Sequence, residues 1–341
     1  MRAELQRADG DENRGSRRAG MNHVVSRRER IRIKGQPVEV NVVRAGGRSF
    51  VVTGGLIRAA ELKDIWAEDV GDPVAMSAVL KKGPFRIDIL KFWQRLPDVT
   101  PRYPYTYAWR HIAAIPITTH KHWFEKQITQ NARNKIRRAM RQGIEVREEG
   151  ISDRLVRDIM QIYNESPVRR GKPFWHYGKD FETAKRELSE DMDKSIFVTA
   201  YHEGELLGFI KFFLLDRYAR TILVLDKVSR RDKSPMNSLF SKVVEICAER
   251  GTSFLVYSMW RRGNHGRFQQ SVGFMRIAVP EYCVPLTIRG RLTMRLGLQH
   301  GLRGWIPERL MIPLLSLRAN WYAWKCGTKA FRFRTSREQK A

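Results

Sequence analysis

Residues 261–277 read RRGNHGRFQQSVGFMRI, and the run FQQSVGF within them decides how the second half of the chain is interpreted. A polar segment leads into a helix-length stretch, which stops at Gly273-Phe274, and strand-like residues follow. Glycine is common just after a helix because it adopts a left-handed backbone without strain. The stretch therefore predicts a short helix that turns directly into a closing strand.

The segments upstream of this run alternate between helical and strand patterns. Helical spacing is found in SDRLVRDIMQIYNES, DFETAKRELSEDM and MNSLFSKVVEICAER, and strand composition in SIFVTAYHE, LLGFIKFFLLD, ARTILVLDKVS and SFLVYSM. Glu203-Gly204 indicates a hairpin between the first two strands. Ser234, as an N-cap, and Pro235 mark the start of the third helix. From residue 152 the predicted order is α, α, β, β, β, α, β, α, β.

The residues before 132 predict a mixed first half. VEVNVVRAGGRSFVV (38–52) indicates two strands joined at Gly46-Gly47, and FRIDILKFWQRL and YAWRHIAAIPI are strand-like. LIRAAELKDIWAEDV (56–70) has the spacing of a helix. NKIRRAMRQGIEV then predicts a short basic helix that ends at Gly143 and continues as a strand.

This order, with FQQSVGF near its end, resembles the GNAT acyltransferase fold. NKIRRAMRQGIEV resembles the segment that enters the second of two GNAT-like units in FemAB-type transferases, and IYNESPVRRGKPFWHYGKDFE, RRDKSPMNSL and VPEYCVPLT are similar to a bacterial branch of that superfamily. The resemblance covers roughly residues 38–325. It implies an α/β (α+β) fold: a mixed, splayed β-sheet flanked by helices, in two related units, with a C-terminal amphipathic helix. A fold alone does not establish a function.

Four regions are expected along the chain. They are a basic disordered tail (1–34), an N-terminal degenerate GNAT-like unit (35–131), a GNAT/FemAB-like acyltransferase unit (132–298), and a basic amphipathic helix with a tail (299–341). Met21 is a second candidate for the true start. The last region carries Trp305, Trp321 and Trp324 among arginines and leucines. Such a helix suits an anionic membrane surface, and it equally suits packing on a domain.

The charge balance points to phosphate-bearing partners. The chain has 63 Lys and Arg against 36 Asp and Glu, a net charge of +27, concentrated in 1–34, 133–142 and 286–341. Basic clusters attract nucleic acid, anionic lipid headgroups or phosphorylated donors, although a solvated basic surface has the same composition. The 42% apolar content indicates a folded protein, and no uninterrupted run of 18 apolar residues predicts a transmembrane helix.

The cysteines and the N-terminus limit the location. Cys247, Cys283 and Cys326 are far apart and form no CxxC pair, which argues against a disulfide framework or structural zinc. The N-terminus lacks the apolar core of a signal peptide. We therefore expect a cytoplasmic protein without a metal, and a peripheral position at the inner face of the membrane is compatible with the basic C-terminal region.

The stretch SPVRRGKPFWHYGKD (166–180) is the candidate substrate loop, because it concentrates cations and aromatic rings between two helices. Arginine forks bind carboxylate or phosphate, and flat rings stack on sugars or bases. His176, which titrates near neutral pH, is a candidate general base. The alternative is an exposed loop whose histidine makes local hydrogen bonds. The predicted substrate-binding residues are Arg169, Arg170, Phe174, Tyr177 and Lys179.

The stretch DKVSRRDKSPMNS (226–238) is the candidate donor loop. The resemblance implies that its backbone N–H groups face the donor's pyrophosphate at a helix N-terminus. The glycine-rich pattern of coenzyme A users is missing, so acyl-CoA, an acyl-carrier thioester and aminoacyl-tRNA all remain possible co-substrates. A solvated basic loop before a capped helix is the alternative. The predicted donor-binding residues are Lys227, Arg230, Arg231, Lys233, Ser234 and Asn237.

Three further residues are catalytic candidates. Asp226 ends a strand where this fold opens, so its carboxylate could deprotonate an amine, or it could pair with Lys227 or a loop arginine. Tyr257 and Tyr282 lie on strands that should border the same cleft and could protonate a leaving group, although strand tyrosines more often pack. Transfer from an activated thioester or ester needs positioning and oxyanion stabilisation, without a covalent intermediate.

The sequence therefore predicts an N-acyltransferase or aminoacyltransferase that acts on an amine acceptor, with a cell-envelope or polysaccharide precursor as the expected substrate class. The alternative is a non-catalytic protein that binds a polyanion, either RNA or an anionic membrane.

Overall fold

The computed structural model of the chain describes residues 25–33, 36–66, 68–84, 86–169, 171–261 and 263–298. Packing divides these residues into two units, one formed by 25–110 with 278–298 and the other by 111–277. The predicted C-terminal helix (299–341), residues 1–24 of the predicted tail and Arg170 lie outside the described residues. The domain limits expected from the sequence, including the boundary at 131/132, remain a prediction.

In chain order the strands are β1 Val25–Ile33, β2 Gln36–Ala45, β3 Arg48–Thr53, β4 Ala59–Leu62, β5 Ile89–Trp93, β6 Tyr107–Pro116, β7 Glu145–Glu149, β8 Val168–Arg169, β9 Lys172–Pro173, β10 Ser195–His202, β11 Glu205–Leu214, β12 Tyr218–Asp226, β13 Phe254–Met259 and β14 Met275–Pro285. The helices are α1 Pro73–Lys81, α2 Gln130–Arg141, α3 Asp153–Asn164, α4 Phe181–Leu188, α5 Pro235–Glu249, α6 Gly263–Ser271 and α7 Ile288–Arg295. Short helical turns occupy His120–His122, Trp123–Gln127 and Val228–Lys233.

In each unit the first five strands of the sheet follow chain order, and the fourth and fifth are parallel. The sixth strand differs: it is the last strand of the first unit, β14, and the first strand of the second unit, β6. In the first unit the strands lie β1-β2-β3-β4-β5-β14, with β4 and β5 parallel and the other neighbours antiparallel. In the second they lie β7-β10-β11-β12-β13-β6, with β12 and β13 parallel and the rest antiparallel. One helix joins each parallel pair, α1 in the first unit and α5 in the second. The predicted mixed sheet in two related units is confirmed.

The second unit buries both faces of its sheet. On one face β10 and β11 pack against α2 and α5 through residues such as Val198, Ile210 and Phe240. On the other face, Phe197 and Phe209 pack against α3 and α4. Because alternate side chains point to opposite faces, strands covered on both sides must be apolar at nearly every position. This explains the largely apolar runs IFVTAY and LLGFI.

The first unit has its own core, which lies beneath one face of its sheet. Phe50, Leu80, Leu90, Phe92 and Tyr282 are buried in it. Leu80 comes from α1, and the other four come from strands β3, β5 and β14. The core therefore depends on a strand, β14, that lies almost at the end of the described chain.

Two predictions for the first half are wrong. The predicted helix over 56–70 is strand β4 followed by a turn, because these residues complete the sheet between β3 and β5 and sheet pairing overrides helical spacing. The predicted tail contains β1, which pairs with β2 along its whole length. The alternation of isoleucine and arginine in RIRI carries the period of a strand.

The predicted turn at Gly273 is confirmed. Helix α6 ends at Ser271, and Gly273 has a φ of +90°, which glycine adopts without strain. Phe274 is then buried in the core of the second unit. The indole of Trp123, which is fully buried, donates from Nε1 to the carbonyl oxygen of Val272 at 3.1 Å, so the turn is held from the interior.

Candidate functional site

The parallel strands β12 and β13 separate partway along their length. They pair at three positions, Tyr218–Arg220 with Phe254–Val256, and the described register ends there. Just beyond, the Thr221 hydroxyl donates to the Tyr257 carbonyl at 3.0 Å. β12 continues to Asp226 and keeps its other neighbour β11 throughout. The part of β12 beyond Thr221 therefore faces β13 without a ladder between them, and this opening is the predicted splay.

The loop that leaves β12 begins at the edge of this opening. It forms the helical turn Val228–Lys233 and reaches α5 through Ser234, whose φ is +58°. Pro235 is the first residue of α5, as predicted, but the Ser234 side chain makes no capping hydrogen bond. A side chain caps from an extended backbone, and the left-handed conformation of Ser234 turns it away. The predicted start of the helix is confirmed, but the predicted role of the Ser234 side chain as its N-cap is wrong.

The cations of this loop are largely engaged by carboxylates. Arg231 binds Asp226 through two hydrogen bonds of 2.9 and 3.0 Å. Lys227 donates to Glu205 at 2.7 Å, and Arg230 reaches the other oxygen of Glu205 at 3.0 Å. Asp226 therefore pairs with a loop arginine, which is the alternative that the sequence left open. The donor-binding role of these cations stays a prediction.

Lys233 is the remaining cation of the loop, and its Nζ lies 3.4 Å from Nε2 of His202.

Glu165 is an organising residue that sequence reasoning missed. Its carboxylate accepts hydrogen bonds from the Val228 amide at 2.6 Å, the Ser229 amide at 2.8 Å and the Ser229 hydroxyl at 2.7 Å. It sits at the C-cap of α3, where the helix dipole disfavours a negative charge. A carboxylate at a helix C-terminus needs a compensating partner. Its position at the end of a predicted helix was therefore the sequence signal that could have identified Glu165.

The environment of Glu165 stabilises its ionised form. Burial acts to raise the pKa of this carboxyl group. The hydrogen bonds from Ser229 and Val228, together with the charge of Arg169, outweigh burial and hold the pKa below its ordinary value of 4.5. The loop after β12 is therefore fastened to α3 by an ionised side chain.

We expect the free energy of unfolding of the Glu165→Gln variant to fall less than that of the wild type as the pH is lowered. Because the folded pKa is lowered, ionised Glu165 contributes stability that is fully present above the unfolded pKa and is lost as pH falls through the folded pKa. The gap in unfolding free energy between wild type and variant should be constant near neutral pH and should shrink below about pH 4.5. Urea titrations across this range measure it. Glu125→Gln, at an exposed position, is the control, and an unchanged gap at low pH would contradict the assignment.

Arg169 brings the candidate substrate loop against the end of β12. Its guanidinium donates to the carbonyl oxygens of Asp226 at 2.9 Å and Ile162 at 2.7 Å, and to Glu165 at 3.1 Å. It also lies over the ring of Phe174, 4.7 Å from the centroid. Only 9% of its side chain is exposed. The two stretches singled out in the sequence are therefore neighbours, and Arg169 acts between them as a brace.

The rest of the candidate substrate loop is part packed and part exposed. His176 is buried and lies against the rings of Tyr163 and Trp175, with centroid distances of 4.3 and 3.6 Å. Its Nδ1 lies 3.2 Å from Nζ of Lys179, which pairs with Glu187. Trp175 and Tyr177 are 44% and 47% exposed. Tyr177 is thus an exposed side chain of the predicted set, whereas His176 and Lys179 are built into the loop.

The other predicted residues are divided between the units. Tyr257 lies on the separated part of β13, and its ring packs against Phe240 and Phe274. Tyr282 belongs to the first unit, where its hydroxyl donates to Gln94 at 2.9 Å and accepts from the Arg102 amide at 2.8 Å. Their catalytic roles stay predictions.

The first turn of α5 carries two buried polar side chains, Asn237 and Ser238. Asn237 is one of the residues predicted from the sequence. The Ser238 hydroxyl, which sequence reasoning did not single out, has no hydrogen-bond partner among the described residues.

The described residues contain no group of three or more His, Cys, Asp or Glu side chains that could hold a metal ion. None of the helices in the same part of the chain is both long enough and apolar enough to cross a bilayer. Cys247 is buried on α5, and burial raises the pKa of its thiol to about 12. It packs in the core, as predicted.

Comparison with known proteins supports the fold. No protein-family model matches the chain, and no curated protein matches its sequence. Among solved structures, FemX superposes with a TM-score of 0.50 at 9% identity, over 79% of this chain and 91% of that one. L-PGS from Bacillus licheniformis gives 0.45 at 15% identity over 69% and 81%, and a tandem GNAT protein from the clavulanic acid biosynthesis pathway gives 0.42 at 9% over 77% and 84%. The FemX likeness confirms the predicted FemAB-like GNAT fold.

Proposed function

We propose that this chain is an N-acyltransferase or aminoacyltransferase that moves an activated acyl group to an amine. The observation that carries the proposal is the separation of β12 from β13 within a FemX-like fold. The freed edge of β12 offers backbone groups beside an open cleft. Amide N–H groups held by a sheet are preorganised donors for the oxyanion that forms when an amine attacks a carbonyl.

We assign proposed roles to the residues around the cleft. Asp226, at the end of β12, and His176, in the adjoining loop, are the candidates to accept the proton of the attacking amine. Tyr257, on the separated part of β13, is the candidate to protonate the leaving group. Arg169 and the packed part of the loop position these groups. Tyr282 has its hydroxyl engaged by Gln94 and Arg102, which supports a packing role over a catalytic one.

The donor is proposed to be an acyl-carrier thioester or an aminoacyl-tRNA in preference to free acyl-CoA. A pyrophosphate needs unoccupied N–H donors and cations. In the loop after β12, Glu165 occupies the amides of Val228 and Ser229, and Lys227, Arg230 and Arg231 already hold carboxylates. A donor whose phosphates bind elsewhere fits this loop better.

The acceptor is proposed to be an amine on a cell-envelope or polysaccharide precursor, used on the cytoplasmic side of the membrane. The high positive charge of the chain supports a phosphate-bearing substrate, because many such precursors are lipid-linked phosphates.

A competing function, the binding of a polyanion without catalysis, is favoured by one observation. Lys135, Arg138 and Arg141 are exposed along α2 and make no ion pair among the described residues. A helix face of unpaired cations suits phosphate groups.

One experiment separates the two functions. Freshly purified protein is mixed with coenzyme A, acyl-carrier and aminoacyl-tRNA pools, and captured species are identified by native mass spectrometry and then supplied with labelled amine acceptors. Capture of one donor class followed by label transfer supports the transferase. Capture of RNA of any sequence and acylation state, with no transfer and a steep loss of binding with salt, supports the alternative.

A further inference from the structure

An open groove on the second unit has a mostly apolar lining, edged by donor groups of three exposed polar side chains. It has a volume of about 490 Å³ and lies along α3, bordered by α4. Its lining residues are Arg157, Met160, Gln161, Asn164 and Phe181. Positions 157, 160, 161 and 164 share one face of α3 because side chains three or four residues apart are neighbours on a helix. The volume falls in the range of small-molecule sites.

The two amide side chains of the groove have fixed orientations. Lys227 has only N–H groups to offer, so its hydrogen bond of 3.1 Å to Gln161 must meet the amide oxygen. The Gly178 amide likewise donates to the oxygen of Asn164 at 2.9 Å. Both oxygens are thus in use. Each NH₂ group makes no hydrogen bond within the described part of the chain and remains available to a ligand.

The third polar group is also a donor. The guanidinium of Arg157 lies over the ring of Phe181, 5.2 Å from its centroid, and makes no ion pair with a described residue. The acids nearest to it along α3 have other partners: Asp153 pairs with Lys185 at 2.8 Å, and Asp158 lies 3.9 Å from Arg154. A guanidinium held near a ring can still offer its N–H groups to an anion.

The groove therefore combines three hydrogen-bond donors, one of them charged, with the apolar surfaces of Met160 and Phe181. No carboxylate is part of the lining. A ligand that offers only acceptors at one end and an apolar or flat body at the other matches this set. A cation would meet no carboxylate in this lining.

We propose that this groove binds the anionic oxygen group, carboxylate or phosphate, of a small ligand with a flat or apolar body, and that this ligand is the amine acceptor. The second part rests on the proposed transferase function. Two contacts connect the groove with the site. Asn164 holds the substrate loop at Gly178, and Gln161 holds Lys227, the residue next to Asp226. An anion anchored here would be fixed beside both candidate loops.

The test uses fluorine NMR of the full chain with three small probes: para-fluorobenzoate, para-fluorophenyl phosphate and the neutral para-fluorobenzyl alcohol. We expect line broadening and saturable binding of one or both anions, and weak or no binding of the alcohol. Comparison of the two anions distinguishes a carboxylate site from a phosphate site. Equal binding of all three probes would overturn the proposal.

Two isosteric variants test the donors without removing their structural contacts. Gln161→Glu keeps an oxygen for Lys227, and Asn164→Asp keeps one for Gly178, but each replaces a groove-facing NH₂ with an oxygen. We expect each, and Arg157→Gln, to weaken anion binding by about tenfold or more. The matched controls are Asn131→Asp and Arg154→Gln, at exposed positions outside the groove, which should bind as wild type.

The variants have to remain folded, which an unchanged urea midpoint verifies. Wild-type anion affinity in Gln161→Glu and Arg157→Gln would refute the site. Because the probe assay needs no donor, it stands apart from catalysis. The wild-type protein could bind the anions, and lose that binding in these variants, without transferring any acyl group. In that case the groove would still be an anion site, but the acceptor assignment and the proposed function would both be wrong.

Discussion

Replacing Gly273 with valine is expected to lower the free energy of unfolding of the second unit by about 3 kcal/mol or more. A φ of +90° is strongly disfavoured for a β-branched residue. A Cβ at this position would also lie 2.9 Å from Nε1 and 3.2 Å from Cδ1 of Trp123. The indole is fully buried and hydrogen-bonded to Val272, so it has no room to retreat.

The chain offers a matched control for this variant. Gly143, which ends α2, has a φ of +75°, but a Cβ there would meet nothing within 4 Å. Gly143→Val therefore carries the backbone strain without the clash, and should cost about 1–2 kcal/mol. Urea unfolding followed by far-UV circular dichroism measures both. Equal losses in the two variants would show that contact with Trp123 adds nothing to the requirement for glycine at 273.

The comparison of these two glycines shows what the sequence reveals. Both helix ends were predictable, because a glycine after a helical pattern has a local cause. The different costs of replacing them were not, because Trp123 lies 150 positions before Gly273 in the chain. Local conformation follows from neighbouring residues, whereas the steric environment of a residue depends on contacts that the fold brings together.

The same limit applies to strands and helices. The order from residue 152 was predictable because its helices and strands carry clear periods. β4 was not, since its residues are held by pairing with β3 and β5 while their spacing fits a helix equally well. Helix α1 was missed although Asp72 accepts from the amides of Val74 and Ala75 and Pro73 follows it. That start signal was present in the sequence.

In the candidate site, the sequence predicts which stretches of the chain contribute residues, but not which side chains form ion pairs and hydrogen bonds with one another. The stretches 166–180 and 226–238 were singled out for their charge, and the structure places them side by side. The sequence could not show that Glu165 and Glu205 would engage the second stretch, since these carboxylates lie 63 and 22 residues from their partners Val228 and Lys227. A basic loop in sequence can thus be close to neutral in the fold.

Replacing Arg169 with methionine is expected to lower the free energy of unfolding by about 2–3 kcal/mol, because its buried acceptors lose a charged hydrogen-bond donor. Methionine fills much of the same space, so loss of packing contributes little. The carbonyl oxygens of Ile162 and Asp226 lose this donor, and Glu165 keeps only its hydrogen bonds from Val228 and Ser229. Urea unfolding of the variant, compared with Arg154→Met at an exposed position, measures this loss.

The same substitution is expected to reduce the proposed acyl transfer by about 100-fold, because a displacement of about 1 Å at a reacting group can have that effect and Asp226 is a proposed one. Arg169 touches the backbone of Asp226 and its own loop, so its loss should move the two loops apart. Adding Glu165→Gln removes the negative charge that Arg169 balanced and should restore part of the stability, but none of the activity, since the contact between Arg169 and Asp226 stays absent. Recovery of transfer along with stability in the double variant would mean that Arg169 serves folding alone.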